Sequence, residues 1–199
     1  MKANQVIINW VEKNSSILDL GCGDGSILEA LSLKKNVKGL GVEIDSINIQ
    51  SCIDRGISVI EQNIDEGMIN FKDKSYDYVV LSETIQVLEN PEQALLEITR
   101  IGKSSIVTFP NFAHWKSRLS LFFLGRMPKT KALPQEWYNT KNIHLCTIKD
   151  FEALCKDLRI SIDRKTIINN NKENLLLKSF FPNFFGELIT YQLSRKIRK

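Results

Sequence analysis

An apolar run that passes directly into three alternating glycines constrains this chain more than any other stretch. In Ser16-Ile17-Leu18-Asp19-Leu20-Gly21-Cys22-Gly23-Asp24-Gly25-Ser26 a buried-strand pattern meets a turn in which every second side chain is missing. Gly21, Gly23 and Gly25 permit positive φ and leave bare backbone for a ligand to lie against. From Ser26 onward Ile27, Leu28 and Leu31 fall on one helical face, so the unit reads strand, turn, helix. The unpaired N–H groups of that helix point back at the turn, and such a junction suits a nucleotide-like ligand.

Two ligand classes compete for it. A dinucleotide fingerprint needs a third glycine where this chain has Ser26. Asp19, just before the turn, would repel a pyrophosphate and favours a ligand with a cationic amino-acid end. The string Asp19-Leu20-Gly21-Cys22-Gly23-Asp24-Gly25 resembles motif I of the class I S-adenosylmethionine (SAM) methyltransferases. In that family the loop surrounds the methionine moiety and the strand acid helps to hold it, often indirectly.

The length of 199 residues fits a single domain spanning 1–199 with a sizeable core. No apolar run approaches the ~20 residues that span a bilayer, and the N-terminus lacks a signal-peptide core, so the expectation is a cytoplasmic protein without membrane contact. Four cysteines, Cys22, Cys52, Cys146 and Cys155, show no C-x-x-C pairing, which leaves metal and disulfide readings without support. Cys22 reads as a small packing residue, with no neighbouring His or Lys in sequence to activate it. The formal charge is +4, with basic residues gathered at Lys116, Arg118, Arg126, Lys129 and Lys131 and in the tail Arg195, Lys196, Arg198 and Lys199. Both read as solvated surface. No interleaving with stacking aromatics points to nucleic acid.

Along the chain, Ala3 to Glu12 reads as a lead-in helix (3–12) covering a sheet edge or the site, with Val6, Ile7, Trp10 and Val11 on one side. Val37 to Glu43 is a second strand. An acid at its end, about 20 residues past the glycine loop, is placed to grip a ribose hydroxyl pair, and Glu43 is that acid. Asp45 reads instead as the N-cap of a helix from Ser46 to Arg55. After a third strand, Ser58 to Gln62, comes Asn63-Ile64-Asp65-Glu66, which resembles the acidic methyltransferase motif that meets the adenine amino group. The Asp65 carboxylate is the group suited to accept from it. Tyr76 to Ser82 is a fourth strand, with Tyr78-Val79-Val80-Leu81 buried on both faces. The segment Ser82-Glu83-Thr84-Ile85-Gln86 then lies at the carboxyl edge beside the ligand. There is no Asn-Pro-Pro-Tyr or Asp-Pro-Pro-Tyr run, which argues against methylation of base amino groups. Pro91 opens a helix carrying Ala94, Leu95, Ile98 and Ile101, Gly102 ends it, and Ser104 to Phe109 is a fifth strand. Alternation throughout this region predicts a parallel, doubly wound sheet.

Residues 110–147 form a long connection rich in Trp, His, Tyr and Arg, containing a helix over Leu119 to Leu124 and serving acceptor binding or a partner contact. Thr147, with Asp150 three residues on, caps a helix through Phe151, Leu154 and Leu158. Ile160 to Ile168 and Glu187 to Ser194 read as a closing antiparallel hairpin, with Ile189, Tyr191 and Leu193 facing inward. Asn169-Asn170-Asn171 and an apolar link, Leu175 to Phe185, lie between them. Dehydrogenases normally keep all strands parallel, so this hairpin separates the two readings.

The glycine loop, Asn63-Ile64-Asp65-Glu66-Gly67-Met68, Phe109-Pro110-Asn111-Phe112-Ala113-His114-Trp115, Gly125-Arg126-Met127-Pro128, Leu133-Pro134-Gln135-Glu136-Trp137-Tyr138 and Asn142-Ile143-His144-Leu145-Cys146-Thr147 together resemble the MetW family of bacterial methionine biosynthesis. The resemblance covers nearly the whole chain, and the 109–147 block carries most of its specificity. It implies an α/β fold of class I methyltransferase type: a Rossmann-like, doubly wound, seven-stranded sheet with its last strand antiparallel. It further implies SAM as cofactor, with S-adenosylhomocysteine as product, and a homoserine O-acyltransferase (MetX) as partner. The expected cofactor contacts are Asp19, Gly21, Cys22, Gly23, Gly25, Glu43, Ile44, Asn63, Ile64, Asp65 and Ser82. Should methyl transfer to a small molecule occur, His114, His144 and Glu83 are the candidate bases. A regulatory subunit whose Trp115 and Trp137 anchor an interface is the competing role. Fold alone does not choose between them.

Overall fold

The computed structural model describes residues 3–168 and 181–195. Asn169 to Asn171, much of the Leu175–Phe185 link, and Lys196, Arg198 and Lys199 lie outside the described residues.

Seven strands form one sheet: β1 (Ser16–Leu20), β2 (Lys38–Glu43), β3 (Val59–Glu61), β4 (Tyr76–Ser82), β5 (Gly102–Pro110), β6 (Ser161–Ile168) and β7 (Leu188–Ser194). Their spatial order is β3-β2-β1-β4-β5-β7-β6. The pairs β1·β2, β1·β4, β2·β3 and β4·β5 are parallel, and β7 runs antiparallel to both β5 and β6. The expected class I methyltransferase sheet, closed by an antiparallel last strand, is the one observed.

Period-two alternation sends consecutive strand residues to opposite faces. Ile17, Val80 and Ile106 pack under α1 (Ala3–Trp10), α2 (Ser26–Lys35) and α3 (Ser46–Asp54). Leu18, Val79, Leu81 and Val107 pack under α4 (Pro91–Ile101) and α6 (Ile148–Asp157). Apolar side chains on both faces explain why the central strands read as continuous hydrophobic runs. The lead-in helix packs in two directions: Ile7 and Ile8, with Val11 just past its end, join Ile17, Leu28 and Leu31, and Ala3 and Val6 pack with Ile168 and Leu188 at the β6–β7 end of the sheet.

The lead-in helix ends at Trp10, two residues short of the expectation, β3 is trimmed by one residue at each end, and several other ends shift by one; two further differences bear on how the elements join. β5 begins at Gly102, so the glycine that ends α4 also opens the strand. The helix anticipated over Leu119 to Leu124 is split into α5 (Trp115–Leu119) and a wider π-type turn, Ser120–Leu124, which Gly125 stops in the left-handed region at φ 59°.

Because β1 lies between β2 and β4, the connections leaving it and leaving β4 run to opposite faces. A crevice opens at the carboxyl ends of these strands, where an open α/β sheet binds its ligands.

Candidate functional site

β1 delivers the glycine turn to that crevice. Gly21 sits at φ 70°, and a Cβ there would lie 2.6 Å from the Thr84 side chain, so the turn and the segment after β4 approach closely only because the side chain is absent. Glu43, buried at the end of β2, fastens the turn from below. Its Oε2 accepts from Gly23 N–H at 2.8 Å, and its Oε1 accepts from Ile44 N–H at 2.8 Å and Asp45 N–H at 3.0 Å. A carboxylate offers about four acceptor positions. Three being taken, Glu43 has room for one further donor rather than a full hydroxyl pair.

The crevice is an open groove of about 570 Å³, within the size range of small-ligand sites. Of the anticipated contacts, Gly21, Gly23, Glu43, Ile44, Asn63, Ile64, Asp65 and Ser82 line it, and Glu83 joins them. Asp65 accepts from Asn90 N–H at 2.9 Å through Oδ1 and from Glu89 N–H at 3.1 Å through Oδ2, which ties its loop to the start of α4. One acceptor position on each oxygen is left by these two bonds. Ile44, Ile64, Val87 and Leu88 add apolar walls.

Three anticipated contacts lie behind the lining. Cys22 is buried with its Sγ 3.8 Å from Cys52 Sγ, and burial raises the Cys22 thiol well above its ordinary range and the Cys52 thiol in the same direction, so this pair packs rather than reacts. Gly25 sits against Cys52 at the start of α2. Asp19 is 1% exposed, and neither of its carboxyl oxygens has a partner among the described residues. Burial, and secondarily the Glu43 charge, pushes its carboxyl up to about 7.

The candidate bases separate. Glu83 lines the groove, held at φ 55° where β4 ends, and the crowding around it raises its carboxyl. His114 is buried against Trp115, outside the groove lining. His144 lines a separate hollow with Gln86, Cys146 and Phe151.

Thr84 lines the groove as its place after the fourth strand led us to expect, whereas Asn48, Gln62, Val87, Leu88, Glu89 and Ile143 line it without having been anticipated. Asn48 was accessible to reasoning, since the helix that follows a ligand-gripping strand end presents its first turn to the same ligand. Ile143 was not. It arrives from the long connection because Gln86 O accepts from both Ile143 N–H at 2.9 Å and His144 N–H at 3.0 Å.

Charge decides what the groove can take. Four carboxylates line it, Glu43, Asp65, Glu83 and Glu89, and its described lining contains no Lys, Arg or His. Such a surface disfavours phosphate and favours a cationic ligand.

The family described as methionine biosynthesis protein MetW matches residues 2–193. A bifunctional methionine biosynthesis protein MetXA/MetW from Rhodopirellula baltica is 35% identical over 201 aligned residues, which take in 96% of this chain and 32% of that protein. The chain thus spans about a third of that relative's length. Among solved structures, an S-adenosylmethionine dependent methyltransferase from Mesorhizobium loti superposes with a TM-score of 0.70 at 12% identity, covering 97% of this chain and 96% of that one. A SAM-dependent methyltransferase from Methanosarcina mazei gives 0.69 at 18% identity, covering 97% and 98%. At such identities the two structures show a shared fold.

Proposed function

Since the chain belongs to the MetW family of methionine biosynthesis proteins, we propose that its groove binds S-adenosylmethionine and that it acts with a homoserine O-acyltransferase of MetX type. The observation that carries the ligand is the groove's charge: among the described residues, four lining carboxylates with no cation, and Asp19 buried without a partner beside the glycine turn. A dinucleotide would bring a pyrophosphate into this acidic surface, whereas SAM brings a sulfonium and an ammonium.

In this reading the methionine end lies along Gly21 and Gly23, with Asp19 supplying negative charge from beneath. The open position on Glu43 takes a ribose hydroxyl. The open positions on Asp65 take the adenine amino group, with Ile44, Ile64, Val87 and Leu88 against the ring. When bound, SAM supplies a methyl group on an already activated sulfur, so positioning carries much of any transfer. Glu83, the one candidate base lining the groove, supports the second reading, a methyltransferase acting alone on a small molecule. There its carboxylate accepts a proton from the acceptor's thiol, amine or hydroxyl as the methyl is transferred.

Calorimetric titration with SAM and with NAD, side by side, tests the ligand. Saturable SAM binding with none for NAD is expected, and the reverse result overturns the assignment. A methyl-transfer screen with and without the acyltransferase then separates the two roles: turnover without it favours the stand-alone enzyme.

A further inference from the structure

The long connection exposes an apolar surface that the groove does not use. After α5 the turn Ser120–Leu124 points its side chains outward: Phe122 is 82% exposed, Phe123 70% and Leu124 68%. Leu119, Leu121 and Met127 beside them are each exposed above 40%. This is a constructed feature. Leu121 O accepts from Gly125 N–H at 3.2 Å, Ser120 Oγ donates to Arg126 O at 3.0 Å, and the rings of Phe122 and Phe123 stand edge to face at 4.9 Å. Arg118 lies 5.5 Å from the ring of Phe184, which extends the patch toward the residues before β7.

A hollow of about 290 Å³ adjoins the turn through Ser120. Lys116, Lys129 and Lys131 line it against a single acid, Glu187. Lys129 is already paired with Glu136 at 2.7 Å, and Lys116 lies 3.7 Å from Glu187, while Lys131 has no carboxylate partner among the described residues. An apolar centre beside a polar, cationic rim is the anatomy of a protein-binding surface.

The occupant follows from the bifunctional relative. In it a domain matching 96% of this chain occupies 32% of the length, within a protein whose name couples MetXA to MetW. A domain of this kind thus shares a polypeptide with a second unit, and the second unit supplies the partner chemistry. We propose that the turn Leu119–Leu124 and its lysine-lined hollow form the surface that docks a homoserine O-acyltransferase, the aromatic pair entering an apolar recess and Lys131 meeting an acidic rim. This rests on the partner reading given above, and adds where contact is made.

The test uses the full chain and the acyltransferase encoded in the same genome, both purified, with affinity measured by titration and complex mass by light scattering. Wild-type protein forms the complex. The exposed double substitution Phe122→Asp/Phe123→Asp weakens it by about tenfold or more, and the separate rim substitution Lys131→Glu weakens it less, while both variants keep wild-type SAM affinity and melting temperature. Wild-type binding with undiminished affinity in both variants overturns the surface assignment and leaves the partnership standing. Absence of any wild-type complex overturns the partnership and the surface with it. Capture of wild-type protein, and not of the double variant, by anionic phosphatidylglycerol vesicles, with no acyltransferase complex, overturns the proposal in favour of a membrane-facing patch.

Discussion

Asp19 is a carboxyl with no hydrogen-bond partner among the described residues, beside the turn whose Gly21 and Gly23 line the groove. Between about pH 4 and about pH 7 the native state keeps a proton on it that the unfolded chain has released. The ligand-free protein therefore loses stability as pH rises through that window, by an amount on the order of 4 kcal/mol for a carboxyl displaced this far, and levels off above it. Asp19→Asn removes that decline, which urea denaturation at pH 5 and pH 8 measures as a smaller difference between the two. A cation in the groove favours the ionised form. SAM affinity is accordingly expected to rise from about pH 5 to about pH 7 with release of up to one proton, and Asp19→Asn to bind SAM more weakly with a flatter profile; calorimetry in two buffers of different ionisation enthalpy reads both. Asp19 and Glu43 were legible as candidate site acids because each sits at a strand end beside a glycine or helix-start signal, and the structure sets Glu43 in the groove lining and Asp19 buried behind it. The bonds that leave Glu43 one open position were not, since they depend on backbone N–H groups from two separate segments meeting at one carboxylate.

Among the elements, the helix starts were legible where side chains do the capping. Asp45 accepts from Ile47 N–H at 2.9 Å, as its place before α3 predicts. Thr147 Oγ1 accepts from Asp150 N–H at 3.2 Å and donates to Asp150 Oδ2 at 2.6 Å. Thr147→Ala is expected to cost about 0.5–2 kcal/mol, read as a lower denaturation midpoint with an unchanged slope. The long connection was legible as unusual and illegible as structure. Its path is set by Asn111, 2% exposed, whose Nδ2 donates to Gly186 O at 2.9 Å and Asn183 O at 3.0 Å. Its Oδ1 accepts from Ala113 N–H at 3.1 Å and Ile148 N–H at 3.4 Å. One side chain thus joins both ends of the connection to the turn before β7. No local pattern announces such a hub, because its partners lie up to 75 residues away in sequence.

Across the whole molecule, β7 inserts between β5 and β6 and brings the last described strand into the middle of one sheet flank. Tyr191 of β7 stacks on Phe109 of β5 at 6.0 Å and lies 4.7 Å from Phe151 of α6, whose ring is also 4.7 Å from Phe109. Phe151→Ala opens a cavity in this cluster and is expected to cost about 3–5 kcal/mol, seen as a lower melting temperature with SAM affinity intact at low temperature. Among the described residues no helix is long and apolar enough to cross a membrane. The sequence by itself determined the elements outside the long connection, the doubly wound sheet and the candidate acids around the glycine turn, because periodicity, caps and turn glycines act over a few residues. Only the tertiary structure decided that Ile143 reaches the groove and the two histidines do not line it, that no cation lines the groove among the described residues, and that Phe122 and Phe123 stand exposed. Each of those depends on which distant segments share a surface, and that is settled when the chain closes its loops around the sheet.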